Sequence, residues 1–131
     1  MRFRALLVLF AVFAAAAGVV GIVAPGSVMH AIWPARQAAG AELFVRGWGA
    51  GLLALAGLAW THRNTQDPFV RRSISSALFI YFGLAAGVWL ADAHAIGWTL
   101  LSAVTFACLA TFATAFAYLR FLKLAGVQRT L

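Results

Sequence analysis

Four long apolar stretches separated by short polar connections make up most of this chain of 131 residues. The stretches cover residues 5–24, 41–60, 73–91 and 99–119. Because an α-helix rises 1.5 Å per residue, about 20 apolar residues cross the ~30 Å hydrocarbon core of a bilayer. The pattern therefore predicts an all-α fold, a four-helix transmembrane bundle in which residues 1–131 form a single integral membrane domain.

The first stretch also has features of a cleaved signal peptide, since it follows Arg2 and Arg4 and contains consecutive alanines at 14–17. A signal peptide has an apolar core of about 7–15 residues, whereas this stretch continues to Ala24. We therefore expect it to be retained as the first span.

The connection between the first and second stretches predicts a short additional helix. Pro25 and Gly26 are expected to end the first span, because proline cannot continue a helix and glycine relaxes its end. Ser27 is then expected to cap a helix that reaches Trp33 and stops before Pro34. Its apolar side chains recur four residues apart, so we expect this helix to lie along the membrane surface.

The connection over residues 61–72 is polar and basic, and it is predicted to form a turn. Ser73, Ser75 and Ser76 follow it, and serine typically caps a helix. We therefore expect the third span to begin at Ser73.

In the fourth span, the hydroxyl groups of three threonines are expected to bond carbonyls of their own helix. These are Thr105, Thr111 and Thr114.

The composition is that of a membrane protein, with 64% of the residues hydrophobic and 10% charged. A soluble domain typically carries about 25% charged residues. The net charge of +7 is also typical of nucleic-acid binding, but here the basic residues lie at the ends of the apolar stretches and form no patch. We therefore exclude nucleic acid and predict the lipid bilayer as a partner, with anionic lipids at the cytoplasmic face.

The distribution of lysine and arginine predicts the orientation of the spans. Eight of the ten basic residues fall on one side of a four-span protein, while Arg36 and Arg46 fall on the other. Because positive charge collects on the cytoplasmic side, both termini are predicted to be cytoplasmic. The eight residues are Arg2, Arg4, Arg63, Arg71, Arg72, Arg120, Lys123 and Arg129.

Small residues recur four apart in every span. Gly47 and Gly51 in the second span, and Gly83 and Gly87 in the third, place two glycines on one helix face. In lipid, close backbone approach and polar contacts drive helix association, because apolar burial does not. We therefore predict that these four glycines are helix-packing positions.

Polar side chains gather at the predicted outer ends of the spans. Glu42 and Arg46 are four residues apart on the second span, in the favourable order for a helical ion pair. Asp92 and His94 end the third span, and His30 lies in the outer connection. These five residues form a candidate ligand site, in which Arg46 would bind an anionic or carbonyl group and Asp92 or His94 would shuttle protons.

A structural interpretation competes with the ligand site. Glu42, Arg46 and Asp92 would then form a salt-bridge network that fixes the second span to the third. An intramembrane charge is a functional candidate by default. However, charges near the end of a span reach the interface easily, which favours the structural interpretation.

No metal or cofactor is expected. His30 and His94 lie on the predicted outer side and His62 on the inner side, so no histidine pair faces across the bundle to hold a haem. The single cysteine, Cys108, has no metal-ligand partner nearby. The sequence also contains no His-Glu-x-x-His, Walker, GxGxxG or GxSxG motif.

Several short motifs resemble those of a group of small bacterial four-span membrane proteins that lacks an established activity. The resemblance covers most of the chain, and it implies the fold and a location in a bacterial inner (plasma) membrane. Its most distinctive feature is the pair of Glu42 and Arg46. The motifs are Ala24-Pro25, Trp33-Pro34, Glu42-x-x-x-Arg46-Gly47, Arg71-Arg72 and Gly97-Trp98.

Three functional hypotheses follow from these patterns. The first is a non-catalytic accessory or scaffold subunit that packs against a larger membrane complex, or a homo-oligomer, through small-residue faces. The second is a binder or transporter of a small lipophilic or anionic molecule at the outer Arg46, Asp92 and His94 cluster. The third, an enzyme, is least supported, because no nucleophile, base and orienting group converge in the sequence.

Overall fold

The computed structural model describes residues 3–32, 41–96 and 99–123, which are helical or in short connections and contain no strand. Four of the helices are long and apolar enough to cross a membrane. The predicted all-α fold with four spans is therefore confirmed, and the protein is a multi-pass membrane protein. The elements are α1 (Phe3–Val23), α2 (Pro25–Ile32), α3 (Ala41–His62), α4 (Pro68–Ile96), α5 (Leu100–Ala117) and a π-helical segment (Tyr118–Lys123).

The chain divides into two compact units, Met1–Asn64 and Thr65–Leu131. In the first unit α1 packs along α3, and α2 contacts both of them. Among the described residues of the first unit, the buried side chains are apolar. They include Leu6, Leu7, Phe10 and Ala14 on α1, Met29 and Ile32 on α2, and Val45, Leu52, Ala56 and Ala59 on α3.

Glycines bring the backbones of α1 and α3 together. A Cβ atom added to Gly49 would lie 2.7 Å from the carbonyl oxygen of Gly18, and one added to Gly18 would lie 2.8 Å from the carbonyl oxygen of Gly49. A Cβ on Gly21 would meet the Val45 carbonyl oxygen at 3.3 Å. Only glycine permits this approach, so the crossing point of the two helices is set by these three residues.

The predicted start of α2 is wrong by three residues, because a cap at Ser27 would place the first helical residue at Val28. The helix begins at Pro25 instead of being capped by Ser27, and α1 ends at Val23. Proline suits the first position of a helix because its missing N–H would have no helical partner there. Ala24 joins the two helices, donating its N–H to the Val20 carbonyl and accepting from the Val28 N–H. The predicted end at Trp33 lies outside the described residues.

In the second unit, α4 and α5 pack together around three phenylalanine rings. Phe82 of α4 stacks on Phe112 and Phe116 of α5, with ring centroids 5.4 Å and 6.3 Å apart. Phe82 and Phe116 are almost completely buried, and Leu78 lies one turn before Phe82 in the same core. Aromatic stacking therefore replaces glycine contact as the means by which these two helices pack.

The predicted start of the third span at Ser73 is also wrong. Helix α4 begins at Pro68, where Asp67 caps it by accepting a hydrogen bond from the N–H of Phe69 at 2.8 Å. A carboxylate at this position also interacts favourably with the helix dipole. Ser75 and Ser76 therefore lie inside the helix instead of capping it.

Replacing Asp67 with alanine is expected to lower the free energy of unfolding by about 1 kcal/mol, the usual loss for a helix cap. Denaturation in mixed micelles would measure it, and Asp67→Asn should recover most of the loss because the amide oxygen also caps. If Asp67→Ala had the same free energy of unfolding as the wild type, the Asp67 cap would not stabilise the protein.

Helix α5 begins where the sequence predicts. Thr99 and Ser102 form a reciprocal capping box, in which each side chain accepts from the backbone N–H of the other residue. The prediction for the threonines is confirmed as well. Thr105, Thr111 and Thr114 donate to the carbonyl oxygens of Leu101, Ala107 and Ala110 at 2.9, 2.7 and 2.8 Å.

Candidate functional site

The predicted outer cluster is divided between the two units. His30, Glu42 and Arg46 belong to the first, and their side chains are exposed. Asp92 and His94 lie near the end of α4 in the second unit, where His94 is exposed and the Asp92 side chain lies outside the described residues. The five-residue pocket therefore stays a prediction.

Glu42 and Arg46 do not form the expected helical ion pair among the described residues. The Glu42 carboxylate instead lies against Gly26, because a Cβ added to that glycine would be 3.1 Å from Glu42 Oε1. Gly26 is the second residue of α2, so the carboxylate lies at the positive end of that short helix. This contact brings the side chain of Glu42, at the start of α3, against α2.

The predicted helix-packing glycines lie on open faces. A Cβ added to Gly47, Gly51, Gly83 or Gly87 would meet no atom of the described residues within 4 Å. The glycine of α3 that meets α1 is Gly49, which points to a different side of the helix from its neighbours at 47 and 51. These four glycines therefore take no part in the packing of α1 on α3 or of α4 on α5. Their role in packing against other helices stays a prediction.

Helix α3 has a continuous face of exposed small residues. They lie at positions 47, 50, 51, 54 and 57, which share one side of an α-helix. Gly57 lies on the same face, and a Cβ added to it would also meet no atom of the described residues within 4 Å. We call this surface the small-residue face, and it consists of Gly47, Ala50, Gly51, Ala54 and Gly57.

A second polar cluster joins the start of α4 to the π-helical segment. Arg120 donates from Nε to Ser76 Oγ at 2.6 Å, and Ser76 Oγ donates to the Arg72 carbonyl oxygen at 2.9 Å. Ser75, the residue before Ser76, is fully buried. We call Arg72, Ser75, Ser76 and Arg120 the basic cluster.

The sequence pattern did not point to the basic cluster as a site. It assigned the serines to a helix cap and the arginines to membrane orientation. A usable signal was present, because two basic groups flank consecutive spans on the same predicted side, and a hairpin brings such ends together. What could not be foreseen is the π-helical segment, which changes the side of the helix on which Arg120 lies.

Among the described residues, no group of three or more histidine, cysteine, aspartate or glutamate side chains could hold a metal ion. No family model, curated protein or solved structure matches the chain.

Proposed function

We propose that this protein is a non-catalytic accessory subunit of a membrane complex, and that it binds a transmembrane helix of its partner through the small-residue face of α3. The observation that carries the proposal is the open space at Gly47, Gly51 and Gly57. Gly49 is the glycine of α3 that meets α1. Gly47, Gly51 and Gly57 lie on another side of α3 and take no part in that contact, so this side is available to a different helix.

The physical reason for association is backbone approach. Glycines in the middle of a helix are unfavourable by roughly 1 kcal/mol each relative to alanine, so an exposed row of them is costly unless something packs there. A neighbouring helix gains van der Waals contacts and weak backbone interactions at such a face that mobile lipid chains do not supply. The face spans three turns of α3, from Gly47 to Gly57.

Replacing Gly51 with leucine is expected to abolish this association, because a large side chain in the middle of the face keeps a partner backbone away. Ala16→Leu is the matched control, since Ala16 is an exposed small residue on α1 of the same unit. The measurement is native mass spectrometry of protein extracted in mild detergent. We expect the same partner chain, or a second copy, with the wild type and Ala16→Leu, and none with Gly51→Leu.

Two results would contradict the proposal. One is a wild-type protein that leaves the membrane as a lone monomer under every mild extraction. The other is an association that Gly51→Leu leaves unchanged. Both variants should keep the helical circular dichroism of the wild type, because neither position contacts the α1–α3 crossing.

The proposed location is a bacterial inner membrane with both termini in the cytoplasm. It is supported by the position of eight of the ten basic residues at the ends of the spans on one side. The four candidate spans among the described residues support it as well, since an even number of crossings would place both termini on one side.

A further inference from the structure

We propose that the basic cluster binds a phosphate group, presented by the headgroup of an anionic phospholipid. The cluster joins the second turn of α4 to the π-helical segment after α5, within the second unit. The inference is independent of the proposed function, because it concerns a different unit and a lipid instead of a protein partner.

The guanidinium group of Arg120 is held in a fixed position. Ser76 Oγ donates its own proton to the Arg72 carbonyl, so a lone pair is left to accept from Arg120 Nε. Anchoring through Nε leaves the two terminal nitrogens with four N–H donors. These donors match two oxygens of a phosphate in a bidentate arrangement.

A buried hydroxyl group belongs to the residue immediately before Ser76. Ser75 is 0% exposed, and its Oγ has no hydrogen-bond partner among the described residues. A buried serine in a helix ordinarily bonds a carbonyl of the preceding turn, as Ser76 does. An unsatisfied buried hydroxyl group of this kind requires an explanation, and a phosphate oxygen bound at this turn of α4 would supply the missing partner.

Positive charge accumulates at this end of the unit. Arg71 and Arg72 lie in the first two turns of α4, and their Nε atoms are buried. The one acidic residue over residues 65–76 is Asp67, whose carboxylate is engaged by the backbone N–H of Phe69. Several basic residues at one end of a span attract anionic headgroups, and the membrane surface supplies these as lipid phosphate.

The depth of the cluster fits a lipid headgroup. The candidate spans of this unit are Pro68–Ala91 and Leu100–Phe121, so Arg72 and Arg120 lie in the terminal turns of two neighbouring spans. Long basic side chains at that level reach the headgroup region. Arg120 also lies over the ring of Phe121, which is exposed and can extend into the acyl chains.

The test uses the full-length protein in vesicles of equimolar phosphatidylcholine and phosphatidylglycerol, followed by mass spectrometry of the lipids that remain bound after extraction. We expect the wild type to retain phosphatidylglycerol preferentially. Arg120→Gln should reduce that retention about tenfold, the effect of losing a charged hydrogen-bonding group. Arg63→Gln is the matched control, because it removes the same charge from the end of α3, where Arg63 stacks on Trp60.

Two further arms distinguish a specific site from charge alone. Arg120→Lys keeps the positive charge but removes the paired N–H donors of the guanidinium group. This variant should keep the fold and lose most of its preference for phosphatidylglycerol. Inorganic phosphate, added at constant ionic strength, should not raise the thermal stability of the wild type if lipid is the source, whereas a rise would assign the site to free phosphate. Equal retention of both lipids by the wild type together with no effect of phosphate, or equal losses with Arg63→Gln and Arg120→Gln, would overturn the proposal.

Discussion

Gly49→Ala is expected to lower the free energy of unfolding by about 1–3 kcal/mol, the usual range for inserting a methyl group into a closely packed contact. The added Cβ would lie 2.7 Å from the Gly18 carbonyl oxygen and 3.2 Å from the backbone nitrogen of Ile22. Both neighbours include backbone atoms, which cannot rotate away, so α1 and α3 must separate. Alanine favours the helix by up to roughly 1 kcal/mol over glycine, and the clash exceeds this gain.

The control for this substitution lies two turns further along α3. Gly57→Ala adds the same methyl group where none of the atoms that the structure describes lies within 4 Å, so it should leave stability unchanged or raise it slightly. Reversible unfolding in mixed micelles of the monomeric protein would compare the two. Equal effects at Gly49 and Gly57 would show that the α1–α3 crossing is not closely packed.

Phe82→Ala is expected to have the largest effect in the second unit. The ring is 1% exposed and stacks on Phe112 and Phe116. Phenylalanine-to-alanine changes in water-soluble cores cost about 3–5 kcal/mol, partly through transfer from water and partly through the cavity. In a membrane the surrounding lipid is as apolar as the core, so transferring the ring between them contributes little to the loss. The cost of the cavity remains. We therefore expect a loss of about 2–3 kcal/mol.

Phe69 of the same helix provides the control, because its ring is 77% exposed. Phe69→Ala should change the free energy of unfolding by less than about 0.5 kcal/mol, as surface substitutions usually do. Unfolding in mixed micelles again gives both values. If Phe69→Ala cost as much as Phe82→Ala, the stacked rings would not be the centre of this unit.

The spans could be predicted from the sequence because hydropathy and length alone determine whether a helix can cross a bilayer. The start of α4 could not be predicted in the same way. Asp67-Pro68 is typical of both a turn and a helix start, and the tertiary structure favours the helix. Helix α4 begins five residues before the predicted start, so Ser75 and Ser76 lie inside the helix. For this reason the sequence pattern did not identify the basic cluster.

Helix faces were harder to predict than helices. Gly47, Gly49 and Gly51 lie within five residues, and the sequence alone does not show which of them turns toward α1. The choice depends on the position of Gly18 on the neighbouring helix, a contact between residues far apart in the chain. The same limit applies to Glu42, whose contact with Gly26 depends on where α2 begins.

The most direct test of four membrane crossings is labelling of single cysteines in intact cells with a membrane-impermeant maleimide. In a Cys108→Ala background, cysteines would replace Ala35, Thr65, Gly97 and Thr130, one at a time. We predict labelling from outside at positions 35 and 97, and labelling at 65 and 130 only after the cells are permeabilised. Labelling of positions 35 and 65 from the same side would contradict the crossing of the membrane by α3, and with it the four-span fold.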